Sequence, residues 1–288
     1  MEAHLITEAD LPFSVRLLLY YSGRMPDHMG KWRVISALRH FFSPLQKIPI
    51  RVHRDHLTWT IDPTDYVQSQ LFWYGTRDKW EIYHLRKLLS PGAVIFDVGA
   101  NFGYYSLVLA HALQRNCTVY AFEPNPATFE RLCDNVSLNG LGGVIHAQRL
   151  GLSDCEGEAS LSEPSDNSGA TILTAGQGIK VTTLDSFALA NNVPRVDLIK
   201  IDVEGMERFV LRGAERLIGR KPAPVILVEV HPHTLRRAGT SAAELLDDLR
   251  RLGFEICELR RQTLTPLRRV PSSNDYINVL CIPQARLC

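Results

Sequence analysis

The chain is short of several things at once. Its six cysteines, Cys117, Cys133, Cys155, Cys257, Cys281 and Cys288, are scattered over 288 residues and never form a CxxC pair. That spacing excludes a metal knuckle and a disulfide framework, so reduced thiols are expected. Net charge is lacking too: 32 Lys+Arg against 31 Asp+Glu leave +1, too little for a field that gathers nucleic acid. No run approaches the roughly 18 apolar residues of a membrane helix. The nearest, Leu11 to Gly23, is interrupted by Arg16, and Glu2, Glu8 and Asp10 stand where a signal peptide would be basic. There is no internal repeat and no low-complexity tract. With 45% hydrophobic and 22% charged residues, the expectation is a cytoplasmic globular protein.

What is present divides into two parts. Residues 1–65 read as an extension: helical spacing in Leu11–Gly23 and Lys31–Phe42, then two short strands within Ile50–Asp62 around Arg54-Asp55. Residues 66–288 form the second part, opening with two helices, "DYVQSQLFWYG" and "DKWEIYHLRKLLSPG". From Ala93 a strand–helix rhythm begins. The strands are "AVIFDVG", "TVYAFE", "VIHAQRLGL", "VDLIKIDV", "PVILVEV", "FEICEL" and "YINVLCI"; helices are expected over Tyr104–Gln114, Pro126–Leu138, Met206–Ile218 and Ser241–Leu252. Continuous Val/Ile/Leu runs mark strands buried on both faces of a parallel sheet. A basic connection without a helix (Arg260, Arg261, Arg268, Arg269) joins the last two runs, which are expected to pair as an antiparallel hairpin. Such a seven-stranded, mostly parallel, Rossmann-like α/β three-layer sandwich is the layout of class I methyltransferases. Residues 154–181 read as a polar insertion.

Chemistry-bearing residues fall at the ends of these strands. Asp97 closes the first strand, and Gly99 and Gly103 flank Ala100, Asn101 and Phe102 before a helix near Tyr104 and Tyr105. Glycine permits positive φ and close approach of backbone to a ligand. The G-x-x-x-G spacing is not the dinucleotide G-x-G-x-x-G, which disfavours a pyrophosphate. Glu123 ends the second strand before Pro124 and Pro126; it either accepts hydrogen bonds from a ribose diol or caps the next helix. Ser153 and Asp154 follow the third strand, as an adenine contact or a plain turn. Asp202, Glu204 and Glu207 cluster after the fourth, able to orient a hydroxyl, bind a metal, act as a base, or support a helix start. Lys200 within that strand needs a charge partner. Glu229, His231 and His233 follow the fifth strand, where histidine suits deprotonation of a hydroxyl.

Taken in order, "FDVGANFGYYSL", "AFEPNP", "GLSD", "VTTLDSF", "LIKIDVEGMERFVLRGA" and "ILVEVH" resemble the FkbM-type methyltransferases over roughly Trp80–Ile282. The resemblance implies S-adenosyl-L-methionine as cofactor and O-methylation of a sugar or secondary metabolite. It places the cofactor among Asp97, Gly99, Ala100, Asn101, Gly103, Tyr105, Glu123, Pro124, Ser153, Asp154 and Asp202. His231, Glu229, Asp202 and Glu204 are the candidate catalytic residues, with His231 as base. No ligand set with fixed spacing assigns a metal, although Asp202, Glu204 and Glu229 would suit Mg²⁺. The expected partner is a small-molecule or glycosidic acceptor; N- or carboxylate methylation and a non-catalytic scaffold are the alternatives. Nucleic acid is not expected, since "DVEG" stands where amino-directed enzymes carry an aromatic-proline tetrad. Residues 1–65 are a candidate acceptor lid or homodimer element.

Overall fold

The computed structural model describes residues 6–24, 30–39, 48–75, 78–162, 172–272 and 275–286. It begins with a short strand β1 (Ile6–Thr7), helices α1 (Phe13–Arg24) and α2 (Lys31–Arg39), and strands β2 (Ile50–Arg54) and β3 (Leu57–Ile61). These strands form a sheet in the order β1-β2-β3, with Asp55 and His56 at positive φ in the expected hairpin turn. Helices α3 (Tyr66–Tyr74) and α4 (Lys79–Leu88) follow, and the Asp65 carboxylate caps α3 by accepting from Gln68 N–H.

The alternation then starts: β4 (Ala93–Val98), α5 (Tyr104–Ala112), β5 (Cys117–Phe122), α6 (Pro126–Leu138) and β6 (Ile145–Gln148). The polar insertion builds its own sheet from β7 (Gly151–Leu152), β8 (Gly157–Ser162), β9 (Ile172–Ala175) and β10 (Ile179–Thr182). Its tip, 163–171, lies outside the described residues. The chain continues through α7 (Leu184–Ala190), β11 (Leu198–Ile201), α8 (Glu207–Arg212), α9 (Glu215–Ile218), β12 (Val225–Val230), α10 (Pro232–Arg237) and α11 (Ala242–Arg251). Strands β13 (Phe254–Arg260), β14 (Thr263–Pro266) and β15 (Ile277–Pro283) complete it.

Three details differ from the sequence reading. The helix expected over Met206–Ile218 is two, because Gly213 passes so close to the Ser153 carbonyl that a Cβ would lie 2.1 Å from it. The histidine segment is not a loop: Pro232 at the first position starts α10, with His231 as its N-cap. The basic connection after β13 is not a plain loop either. It holds β14, which pairs with β13 and gives the sheet an eighth strand.

The main sheet runs β14-β13-β15-β12-β11-β4-β5-β6; β13 and β15 each pair antiparallel with both neighbours, and the strands from β12 to β6 pair parallel with one another. From β4 the chain moves outward to β5 and β6, then returns to β11 on the other side of β4. That reversal opens a crevice at the carboxyl ends of β4 and β11, where α/β sheets bind ligands. The architecture is the Rossmann-like fold of class I methyltransferases.

Strand alternation sorts the core into two layers. Ile95, Val119, Leu198, Leu227 and Leu280 face one side with Leu107 of α5 and Leu132 of α6. Phe96, Phe122, Ile199, Val228 and Val279 face the other with Phe187, Val210 and Leu245. The N-terminal segment belongs to the first layer: Val15, Leu19, Ile35, Trp59 and Ile61 are part of that same cluster. Trp59 is fully buried, with its ring edge-on to Phe102 and its Nε1–H donated to the Arg54 carbonyl. Truncating such a side chain to alanine costs about 3–5 kcal/mol.

Two asparagines one turn apart, Asn135 in α6 and Asn139 at its C-cap, fasten the hairpin. Asn139 Oδ1 accepts from Thr58 N–H at 2.9 Å while its Nδ2 donates to the Thr58 carbonyl at 2.7 Å. Asn135, fully buried, accepts from Thr60 N–H at 2.8 Å and donates to the Phe102 carbonyl at 3.0 Å. It therefore ties the hairpin to the glycine turn. Asn135→Ala leaves Thr60 N–H and the Phe102 carbonyl buried without those partners; the expected loss is roughly 2–4 kcal/mol. A urea titration at unchanged m-value would show it as a lower midpoint.

Candidate active site

The carboxyl edge of β4 and β11 is organised around one buried ammonium. Lys200 stands in register with Asp97 on the neighbouring strand. Its Nζ donates to the Gly99 carbonyl at 2.9 Å and lies 3.6 Å from Asp97 Oδ1 and 3.4 Å from Asp202 Oδ2. The Tyr105 ring sits 5.1 Å from the same nitrogen. Burial opposes the charge on Lys200, but Asp202, Asp97 and Glu229 outweigh it and raise its pKa. Ser106 donates to the other oxygen of Asp97 at 2.6 Å.

The glycine turn has a packing cause. A Cβ on Gly99 (φ +74) would lie 1.8 Å from the Asp202 carbonyl oxygen, so only glycine lets the β4 and β11 turns cross. A Cβ on Gly103 (φ +95) would meet Leu107 and Leu132 at 2.6 Å. Between them Asn101, at φ +50, accepts from Phe102 N–H through its own side chain.

Glu123 links this turn to the next. One carboxylate oxygen accepts from Asn101 N–H and the other from Asn125 N–H, both at 2.9 Å. The helix cap is Asn125, which accepts from Ala127 and Thr128 N–H. Each oxygen of Glu123 keeps a lone pair for a further donor. Burial raises the Glu123 pKa to about 7, against the two amide bonds and the charge of Lys200.

Beyond β11 the turn is drawn tight by Glu207, whose Oε1 accepts from Val203 N–H at 3.2 Å and Gly205 N–H at 3.0 Å. This holds Glu204 at φ +53, a conformation that costs a non-glycine residue of order 1 kcal/mol. Gly205 (φ +109) passes beneath α10, where a Cβ would lie 2.4 Å from the Thr234 carbonyl. Burial and then Asp202 and Glu207 push Glu204 up to about 8. Burial followed by Asp202, Glu204 and Glu207 raises Glu229 well above the carboxylate range, with Lys200 offsetting part.

His231, half-buried at the tip of β12, has its pKa lowered by burial and by His233, with Asp202 opposing. Asp202 is thus the carboxylate felt by Lys200, Glu204, Glu229 and His231 alike. The ring lies 6.1 Å from that of His233 and 5.8 Å from that of Tyr276. Ser153 and Asp154 sit further along the edge. Ser153 is buried and donates its N–H to the Thr182 carbonyl; Asp154 is exposed and 3.9 Å from Arg212. Among the described residues, no three His, Cys, Asp or Glu side chains gather so as to hold a metal ion.

The methyltransferase FkbM domain profile matches residues 97–256. The chain belongs to the FkbM methyltransferase family. The hexuronic acid methyltransferase AglP of Haloferax volcanii is 34% identical over 142 residues, covering 48% of this chain and 56% of that protein. The 31-O-demethyl-FK506 methyltransferase FkbM of Streptomyces tacrolimicus is 30% identical over 162 residues, covering 44% and 61%. The chain thus spans little more than half the length of these relatives. A SAM-dependent O-methyltransferase structure from Thermotoga maritima superposes with a TM-score of 0.42 at 16% identity, covering 72% of this chain and 66% of that one.

The cofactor of this methyltransferase domain is S-adenosylmethionine, and the edge suits it on two counts. The lone pairs left on Glu123 can take a diol, and Asp97 Oδ1 accepts no hydrogen bond among the described residues. The excess of carboxylate over ammonium around Lys200 favours a cationic sulfonium and repels phosphate.

Sequence reasoning missed Asn135, Ser106 and Tyr276. A polar residue on the apolar face of α6 was a readable signal for the first; Tyr276 reaches His231 only through the pairing of β15.

The carboxylates with raised pKa predict a pH effect. Glu204 is protonated below neutrality and ionises as pH passes about 8, adding negative charge to this edge. Raising pH from about 6 to about 9 should increase the preference for S-adenosylmethionine over the neutral S-adenosylhomocysteine about three- to tenfold. Paired calorimetric titrations would show the slope in the wild type and a flatter one in Glu204→Gln.

Proposed function

We propose that the chain transfers a methyl group from S-adenosylmethionine to a hydroxyl of a sugar or secondary metabolite. The observation that carries this reading is His231 at the tip of β12, its pKa lowered by burial, at the same sheet edge as the Lys200–Asp202 pair. Support for a hydroxyl acceptor comes from the relative named for 31-O-demethyl-FK506, and support for a sugar acceptor from the one named for a hexuronic acid.

Bound at this edge, S-adenosylmethionine supplies a methyl group already activated on a sulfonium. The chain's part is to hold the donor, align the acceptor oxygen and take its proton. Gly99, Ala100, Asn101 and Gly103 would form the floor of the methionine end, with Asp97 and Tyr105 beneath it. Glu123 would take the ribose diol, Pro124 would flank it, and Ser153 and Asp154 would lie toward the adenine. Asp202 is shared between the two halves, close to Lys200 on one side and to His231 on the other. His231 accepts the acceptor's proton; Glu204, largely protonated at neutral pH, can donate a hydrogen bond to the acceptor, and Glu229, raised by burial and the neighbouring carboxylates, would orient it.

Replacing the base should separate binding from chemistry. His231→Ala should bind S-adenosylhomocysteine as the wild type does, yet lose about 10²–10⁴-fold in turnover. Transfer of labelled methyl to a panel of uronic acids and macrolide alcohols measures it. The wild-type rate should climb with pH through a midpoint below the ordinary histidine value, because the neutral ring is the active form. Near-normal turnover of the variant would remove His231 from the mechanism.

A further inference from the structure

The basic turn after β13 takes no part in the chemistry above. Strand β13 runs parallel to β12, since both pair antiparallel with β15, so its turn stands over the same carboxyl edge as His231. Arg261 occupies this turn at φ +45, and the His84 ring N–H donates to its carbonyl at 2.9 Å. Ile277 pairs with Val230, which sets Tyr276 beside His231.

Arg261 and Tyr276 line a groove of about 1930 Å³ whose opposite wall is the N-terminal segment. That is well beyond the ~300–1,000 Å³ of a drug-sized site. Its aromatic surface is unusually open: Tyr20, Trp32 and Tyr276 are 63%, 50% and 58% exposed. Trp32 is held flat by stacking on Tyr74 at 4.2 Å. Exposed rings with polar tips gathered in a concave surface mark a ligand face.

The charges narrow the ligand. Among the described residues Arg24 and Arg261 have no carboxylate partner, and Arg24 lies over the Tyr20 ring. Arg54, 7% exposed, shares its charge with Glu8 at 3.5 Å, while its buried Nε and Nη2 donate to no partner among the described residues. Glu8 and Asp55 offset the Arg54 charge, so the uncompensated positive charge of the groove comes from Arg24 and Arg261. Asp78 and Glu81 interrupt the basic wall. A phosphodiester chain would meet them at every pass, whereas a hydroxyl-rich chain uses carboxylates and guanidinium groups equally as partners.

We infer that this groove is a distal acceptor subsite for a carboxylate-bearing oligosaccharide, whose reacting hydroxyl is presented past Tyr276 to His231. The inference rests on the methyl-transfer reading and adds to it the class and length of the acceptor.

The test is calorimetric titration of the full chain, saturated with S-adenosylhomocysteine, with tetragalacturonate, maltotetraose and an oligouridylate. Tetragalacturonate should bind at least about tenfold more tightly than maltotetraose and weaken with added salt. Arg261→Ala, on an exposed turn, should weaken it about two- to fivefold. Trp32→Ala should weaken it about three- to tenfold. S-adenosylhomocysteine affinity should stay unchanged in both variants. No binding of tetragalacturonate, equal binding of the neutral sugar, tighter binding of the oligouridylate, or indifference to both substitutions would overturn the inference and leave the transfer reading standing. A wild-type chain that fails to bind S-adenosylhomocysteine would overturn both.

Discussion

An ammonium buried between two strand tips costs several kcal/mol unless it is fully answered, and answering Lys200 fixes much of this molecule. Three oxygens do so: Asp97 from β4, the Gly99 carbonyl from the turn after it, and Asp202 from the turn after β11. The two turns must therefore cross at close range, and glycine at 99 is what permits it. The neighbouring carboxylates are in turn placed where Lys200 can neutralise only some of them. The remainder have their pKa values raised, Glu204 to about 8, so that they resist ionisation. One buried cation thus sets the geometry of the crevice and its electrostatic character together.

Much of this was readable in advance where chemistry is local. Strand termini, the hairpin turn (read at Arg54-Asp55, formed one residue later at Asp55-His56), the cap-prone "FEPNP" segment and the pairing need of Lys200 all follow from short windows of sequence. Reasons that act across the chain were not readable. Gly99 reads as an invitation to a ligand, but its missing Cβ faces a carbonyl more than a hundred residues away. Glu123 reads as a ribose ligand or a helix cap; it joins two turns, and Asn125 does the capping. The break between α8 and α9 likewise depends on Gly213 meeting Ser153, which no local propensity encodes.

The N-terminal segment is where sequence said least and packing says most. Asp97, Lys200 and Glu229 alternate with Phe96, Ile199 and Val228, so they belong to the face of the sheet that the segment covers. The crevice and the large groove accordingly lie on one side of the molecule. Asn135 connects them through backbone: one end of its amide holds β3, the other holds the turn at Phe102.

Strand β3 ends its sheet, and an end strand ordinarily offers a row of free amides and carbonyls to any chain that passes. Asn135 and Asn139 occupy that row with side-chain amides that mimic the missing strand. The edge is spent on the protein's own helix. A second copy of the chain cannot extend the sheet from β3, which leaves β1 as the edge of that sheet without such cover from α6.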